Sequence, residues 1–87
     1  MIQVSIPSQL TAYTGGATQV PAEGRTVGEV LDDLDRRFPG LKFRTVDEQD
    51  RVRRHVRFFV GADETRDVAR PLRDGDRLLI FGALSGG

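Results

Sequence analysis

Ile2, Val4 and Ile6 alternate with Gln3 and Ser5, a period of two that predicts a strand with one buried face, ended by Pro7. Thr14-Gly15-Gly16 is a turn signal, and Ala17 to Val20 read as the returning strand of a hairpin. The period then changes. Val27, Val30, Leu31, Leu34 and Phe38 fall on one helical stripe, with Asp32, Asp33, Arg36 and Arg37 turned away from it. Thr26 is placed to cap this helix. Glu29, three residues on, is placed to reach back to the cap's backbone N–H as a capping box. Asp32 and Arg36 read as an i,i+4 ion pair, and Pro39-Gly40 stops the helix.

Residues 41 to 55 carry many charges and no clear period, which predicts a long loop with at most a short turn of helix. Val56, Phe58 and Val60 then alternate with Arg57 and Phe59 as a third strand. Gly61-Ala62-Asp63-Glu64 reads as a turn into a short fourth strand near Thr65 to Val68, and Asp74-Gly75-Asp76 launches a last strand from Arg77 to Phe81. No repeat, low-complexity segment or domain boundary interrupts the chain.

A helix with one apolar stripe must cover a partner surface, here one face of a mixed sheet. A right-handed crossover sets the first and last strands side by side and parallel. The expected architecture is α+β: a β-grasp, or ubiquitin-like, fold with four to five strands packed on one main helix. Residues 1–82 form the body. Residues 83–87 form a flexible tail leaving from a central strand.

Composition narrows the chemistry. The 87 residues hold no cysteine and a single histidine, His55, so disulfides, thiolate metal sites and thiol nucleophiles are excluded, and a catalytic triad is hard to furnish. Thirteen basic and thirteen acidic side chains cancel, so no global field steers the protein to nucleic acid or to a membrane. The longest apolar runs fall far short of the ~20 residues needed to cross a bilayer. The expectation is a soluble cytoplasmic domain without a bound cofactor.

Parity along the strands locates a candidate surface. If Ile2, Val4, Ile6, Val56, Phe58, Val60, Leu78 and Ile80 face the helix, then Phe59, Leu79 and Phe81 face outward, with Gln3, Ser5 and Arg57 around them. Two readings of this patch compete. It is either a docking surface or a face covered by the 41–55 loop.

The chain closes on Ser85-Gly86-Gly87. At about 7% glycine usage, two terminal glycines arise by chance in roughly 0.5% of chains. Without Cβ atoms they can enter a channel too narrow for side chains and present a bare carboxylate. From Ala83 onward an extended tail reaches roughly 17 Å.

The run Leu72-Arg73-Asp74-Gly75-Asp76-Arg77-Leu78-Leu79-Ile80-Phe81, followed by Ser85-Gly86-Gly87, resembles the end of the ThiS/MoaD sulfur-carrier family. The first strand, the Thr26–Phe38 helix and Val56–Val60 sit in family order. Through Ser5-Ile6-Pro7, Thr14-Gly15-Gly16, Pro39-Gly40 and the long segment before the third strand, the likeness is nearest to carriers of thiocarboxylate-dependent cysteine synthesis. Gly82 departs from the proline many relatives carry there, which makes the root of this tail more flexible.

That resemblance implies a carrier and not an enzyme. An E1-like adenylyltransferase, using ATP and magnesium, would join the Gly87 carboxylate to AMP. A sulfur donor of desulfurase or rhodanese type would then displace AMP and leave a thiocarboxylate. An acceptor synthase, such as a cysteine synthase, or the pathways to molybdopterin, thiamine or thiolated tRNA, would take the sulfur. A monomer is expected of such a shuttle. Ser85, Gly86 and Gly87 are the tail residues; Phe59, Leu79 and Phe81 are the expected docking residues. The alternatives are a ubiquitin-like modifier joined to target lysines through Gly87, and a non-covalent β-grasp interaction module.

Other candidates are weaker. Arg51-Val52-Arg53-Arg54-His55-Val56-Arg57 is a basic cluster, but Asp47, Glu48 and Asp50 precede it directly, the mark of a solvated loop. Asp32, Asp33 and Asp35 point apart on a helix. Asp74 and Asp76 flank Gly75 because the turn requires them.

Overall fold

Every apolar residue that the alternation assigns to the inner face is buried. The structure is a computed structural model that describes residues 1–82. Ile2 and Val4 line the inner side of β1 (Ile2–Ser5), with Ile6 just past its end. Val56, Phe58 and Val60 line β3 (Val56–Val60), and Leu78 and Ile80 line β5 (Arg77–Gly82). With β2 (Gln19–Ala22) and β4 (Asp63–Thr65) the sheet has the order β2-β1-β5-β3-β4. β1 and β5 are parallel at its centre, with Val4 opposite Leu78, and the remaining pairs are antiparallel. This is the placement the crossover rule predicts. The expected tail, residues 83–87, lies outside the described residues.

α1 (Val27–Arg37) covers the inner face and buries Val27, Val30, Leu31 and Leu34 completely. Its N-terminus is capped by Thr26, whose Oγ1 accepts the Glu29 N–H at 3.1 Å. The Glu29 carboxylate reaches one residue further than the capping box predicts, accepting from the Arg25 N–H at 2.8 Å. The entry to the helix is tied to residues 70–72: Val27 N–H donates to the Arg70 carbonyl and Leu72 N–H to that of Arg25, which holds Arg25 beside the first turn. The ion pair expected between Asp32 and Arg36 is replaced by another. Asp33 takes Arg36 at 2.8 Å, Arg37 at 3.1 Å and the Glu23 N–H at 3.1 Å, because it is Asp33 that faces the end of β2. Asp32 pairs instead with Lys42.

The connections differ from the expectation more than the elements do. The first two strands are not joined by a tight hairpin. Residues Ser8–Thr14 form a 3₁₀ helix, Gly15 and Gly16 turn the chain at φ of 65° and 91°, and β2 begins at Gln19 rather than Ala17. The fourth strand is likewise shifted. Gly61 takes a left-handed φ of 61°, the reversal needs only Gly61-Ala62, and pairing starts at Asp63. Residues 41–55 hold the short turn of helix that the reading allowed, α2 (Leu41–Thr45), and are more ordered than a long loop beyond it, with a bridge between Val46 and Val52. The Asp35 carboxylate accepts the Gly40 and Lys42 N–H groups at 3.1 and 3.2 Å, which fastens the start of α2 to α1. Leu41, Thr45, Val46 and Val52 are buried on the helix side of the molecule. Among the described residues no helix is long and apolar enough to cross a membrane.

Candidate functional site

The outer face of the sheet carries the apolar cluster that strand parity predicts. Phe59 stands opposite Leu79 and Arg57 opposite Phe81 in the antiparallel pair of β3 and β5. The diagonal brings the two aromatic rings together, with centroids 5.5 Å apart. Phe81 is 49% exposed, while Phe59 and Leu79 are half-buried. Ser5 adjoins Leu79, whereas Gln3 lies further down β1 beside Arg77. The 41–55 segment does not cover this face, because its buried residues belong to the core on the other side of the sheet. Its own exposed aromatic, Phe43, stacks with Arg53 instead, at 4.4 Å.

One edge of the cluster is electrostatically fixed. Arg57 forks onto Glu64 with bonds of 2.9 and 2.8 Å while its guanidinium stands 5.8 Å from the Phe59 ring centre. Each partner's hydrogen bond stabilises the charged form of the other, so Arg57 is held above its ordinary pKa and Glu64 below. The arrangement presents an apolar centre with the Arg57–Glu64 pair along one edge and Ser5 on another.

Ser85, Gly86 and Gly87 lie outside the described residues, but the root of the tail does not. Gly82 closes β5 opposite Val56, and its carbonyl accepts from the Gln9 side-chain amide at 2.8 Å. A cleft opens beside it, lined by Gln9, Tyr13, Arg44 and His55. There Arg44 Nε donates to the Tyr13 hydroxyl at 2.6 Å. Gln9, Tyr13 and Arg44 carry no signal in the sequence, since they reach this place only through the 3₁₀ segment and α2.

The basic cluster of residues 51–57 does not form one face. Arg51 pairs with Asp47, Arg53 donates to the Phe43 carbonyl and Arg57 goes to Glu64. Asp76 accepts the Arg73 N–H across the turn at 2.9 Å and so serves the chain reversal, while Asp74 pairs with the terminal ammonium of Met1. Among the described residues no three histidine or carboxylate side chains converge to hold a metal ion.

Comparison with known proteins places this geometry. The ThiS family pattern matches residues 4–87. The sulfur carrier protein CysO of Mycobacterium tuberculosis is 34% identical over 91 residues, which covers 99% of this chain and 98% of that protein. A chain in the crystal structure of the Amycolatopsis orientalis BexX/CysO complex is 37% identical and superposes with a TM-score of 0.92 over 100% of both chains. SAMP1 from Haloferax volcanii superposes with a TM-score of 0.76 at 24% identity over 99% of this chain and 98% of that one, a likeness of fold alone. With the pattern matched over nearly its whole length and a β-grasp sheet packed on one helix, the chain belongs to the ThiS family.

Proposed function

We propose that this protein is a sulfur carrier that works through the carboxylate of Gly87. The observation that carries the reading is the family match through residue 87, joined to likeness with a sulfur carrier over both full lengths. An apolar patch beside the strand that leads into the tail supports it.

A carboxylate is a poor electrophile until one oxygen becomes part of a good leaving group. An E1-like adenylyltransferase supplies this: a Gly87 carboxylate oxygen attacks the α-phosphorus of ATP, and pyrophosphate leaves. The terminal sulfur of a donor persulfide then attacks the acyl carbon and AMP departs. A thiol cleaves the resulting acyl disulfide, taking the donor sulfur into a new disulfide and leaving the thiocarboxylate. The carrier contributes position. Phe59, Leu79 and Phe81 dock the body, and a tail of roughly 17 Å delivers the carbon to the partner's site. The acceptor is a biosynthetic synthase, with a cysteine synthase the first candidate from the internal motifs. A carrier of this kind needs no catalytic residue of its own.

Intact mass spectrometry of the protein purified from its host tests the reading. The expected result is a fraction in which sulfur replaces one terminal oxygen. A chain lengthened by one bulky residue, shown to be untrimmed, should accept no AMP; normal adenylation of that chain would overturn the role of Gly87.

A further inference from the structure

We propose that Gln9 is a positioning residue that sets the direction in which the chain leaves the body at Gly82; the inference rests on the carrier reading above. Carbonyls of β5 and the residue before it alternate between two neighbours. That of Asp76 faces β1 and accepts the Gln3 N–H at 3.2 Å, while that of Arg77 faces the other way and accepts the Gly61 N–H at 3.1 Å. Gly82 has the parity of Asp76. By that point β1 is gone: its pairing with β5 ends at Ser5 opposite Leu79, and Pro7 turns the chain into the 3₁₀ segment. The Gly82 carbonyl thus faces the side from which its strand partner has departed. The Gln9 amide occupies that place, with Nε2 donating at 2.8 Å across 73 residues of sequence.

The position is one where a hold matters. A glycine at a strand end has backbone freedom that other residues lack. Here β3 meets Gly82 only through Val56, whose own N–H and carbonyl are engaged by Arg53 and Arg66, so the hold on the Gly82 carbonyl comes from Gln9. A swing of about 30° at the root moves the end of an extended lever of ~17 Å by roughly 9 Å, far beyond the tolerance of a reacting geometry. A root oriented beforehand lowers the ordering cost of threading the tail into a partner's channel. Gln9 is exposed and adds nothing to the core, so its bond to Gly82 can be removed without unfolding the body. A Cβ at Gly82 would meet Gln9 Oε1 only at ordinary contact, 3.7 Å, so the hold comes from the hydrogen bond and not from steric closure.

The test compares wild type with Gln9→Ala and Gln9→Glu in the full chain. Gln9→Glu keeps the shape but turns a carboxylate oxygen toward the Gly82 carbonyl. Both variants should keep the wild-type melting temperature and show a lower backbone order parameter at the Gly82 amide. In pyrophosphate release with the host's E1-like adenylyltransferase, kcat should fall about three- to tenfold while KM stays within about twofold, since a hydrogen bond of this kind is worth that factor. Gln9→Glu should be no better than Gln9→Ala. Unchanged kcat in both variants, or an unmoved Gly82 order parameter, would overturn the role of Gln9. Wild-type protein that is not adenylated at all would overturn the carrier reading and this role with it; normal wild-type turnover with indifferent variants would remove this role alone.

Discussion

Phe59 and Phe81 meet edge to face across β3 and β5, their ring planes at 88° to one another. Such a pair is worth about 0.5–1.5 kcal/mol beyond the area it buries. Phe81 is 49% exposed, so much of its ring stays open, and on the proposed reading that open part is what a partner covers. Phe81→Asp removes the apolar ring and places a charge in the centre of the patch. Adenylation by the partner should show KM raised at least about tenfold, the scale of a buried interface anchor. The melting temperature should fall by only a few degrees. An unchanged KM would take the patch out of the docking surface.

The patch was legible in the sequence because side chains alternate across a strand, so five inner residues on β3 and β5 fix the direction of Phe59, Leu79 and Phe81. The main helix was legible for a similar reason: its stripe repeats through three turns. Shorter elements escaped. The five residues of α2 are too few to show a period, and the 3₁₀ stretch Ser8–Thr14 offers only Leu10 and Thr14 to the interior. A stripe also leaves the phase at its border open by one residue, which is why Asp33, and not Asp32, meets the arginines. Gln9 was invisible because its partner lies at the other end of the chain.

Asp33 links acid stability to the docking of α1 on β2. Its side chain is only 17% exposed. Its pKa is held below the ordinary 3.8, first by the Glu23 N–H and then by Arg36 and Arg37. The lowered folded pKa means that the ionised group stabilises fully above the unfolded value and loses its contribution as pH falls through the folded one. Asp33→Asn should therefore cost about 1–2 kcal/mol at pH 7, and its gap to wild type should narrow below about pH 4. Urea denaturation of both proteins at pH 7 and pH 3 measures this. A gap independent of pH would show that the charge on Asp33 plays no part.

Gly24 is a site of close approach that its sequence context did not mark. A Cβ there would stand 2.6 Å from Val30 N and 2.9 Å from Glu29 C, backbone atoms of α1 that cannot move aside without disturbing the helix. Gly24→Ala should destabilise by more than about 2 kcal/mol, a fall of roughly 8 °C or more in melting temperature for a domain of this size. Gly82→Ala is the control, since its Cβ would meet only ordinary contacts, and it should shift the melting temperature little. Equal effects from the two would show that crowding against α1 is not what requires glycine at position 24.

Arg66 fastens the bend that leads into β3. Its Nη1 donates to the Val56 carbonyl at 3.0 Å, and its Nη2 donates to those of Val52 and Arg53 at 2.8 and 3.1 Å. One planar fork thus gathers three carbonyls, from the Val52 bridge, from Arg53 and from the first residue of β3. Lysine cannot reproduce that fork, because its ammonium is a compact point charge on a flexible stem. Arg66→Lys should cost about 1–2 kcal/mol and Arg66→Ala about 2–3 kcal/mol in urea denaturation. Val56 stands opposite Gly82, so loosening this bend also loosens the strand end that faces the tail root. Amide exchange at Val56, whose N–H donates to the Arg53 carbonyl at 3.0 Å, should speed up in both variants before global unfolding does. A lysine variant as stable as wild type, with Val56 exchange unchanged, would show that charge alone, and not the geometry of the fork, holds the bend.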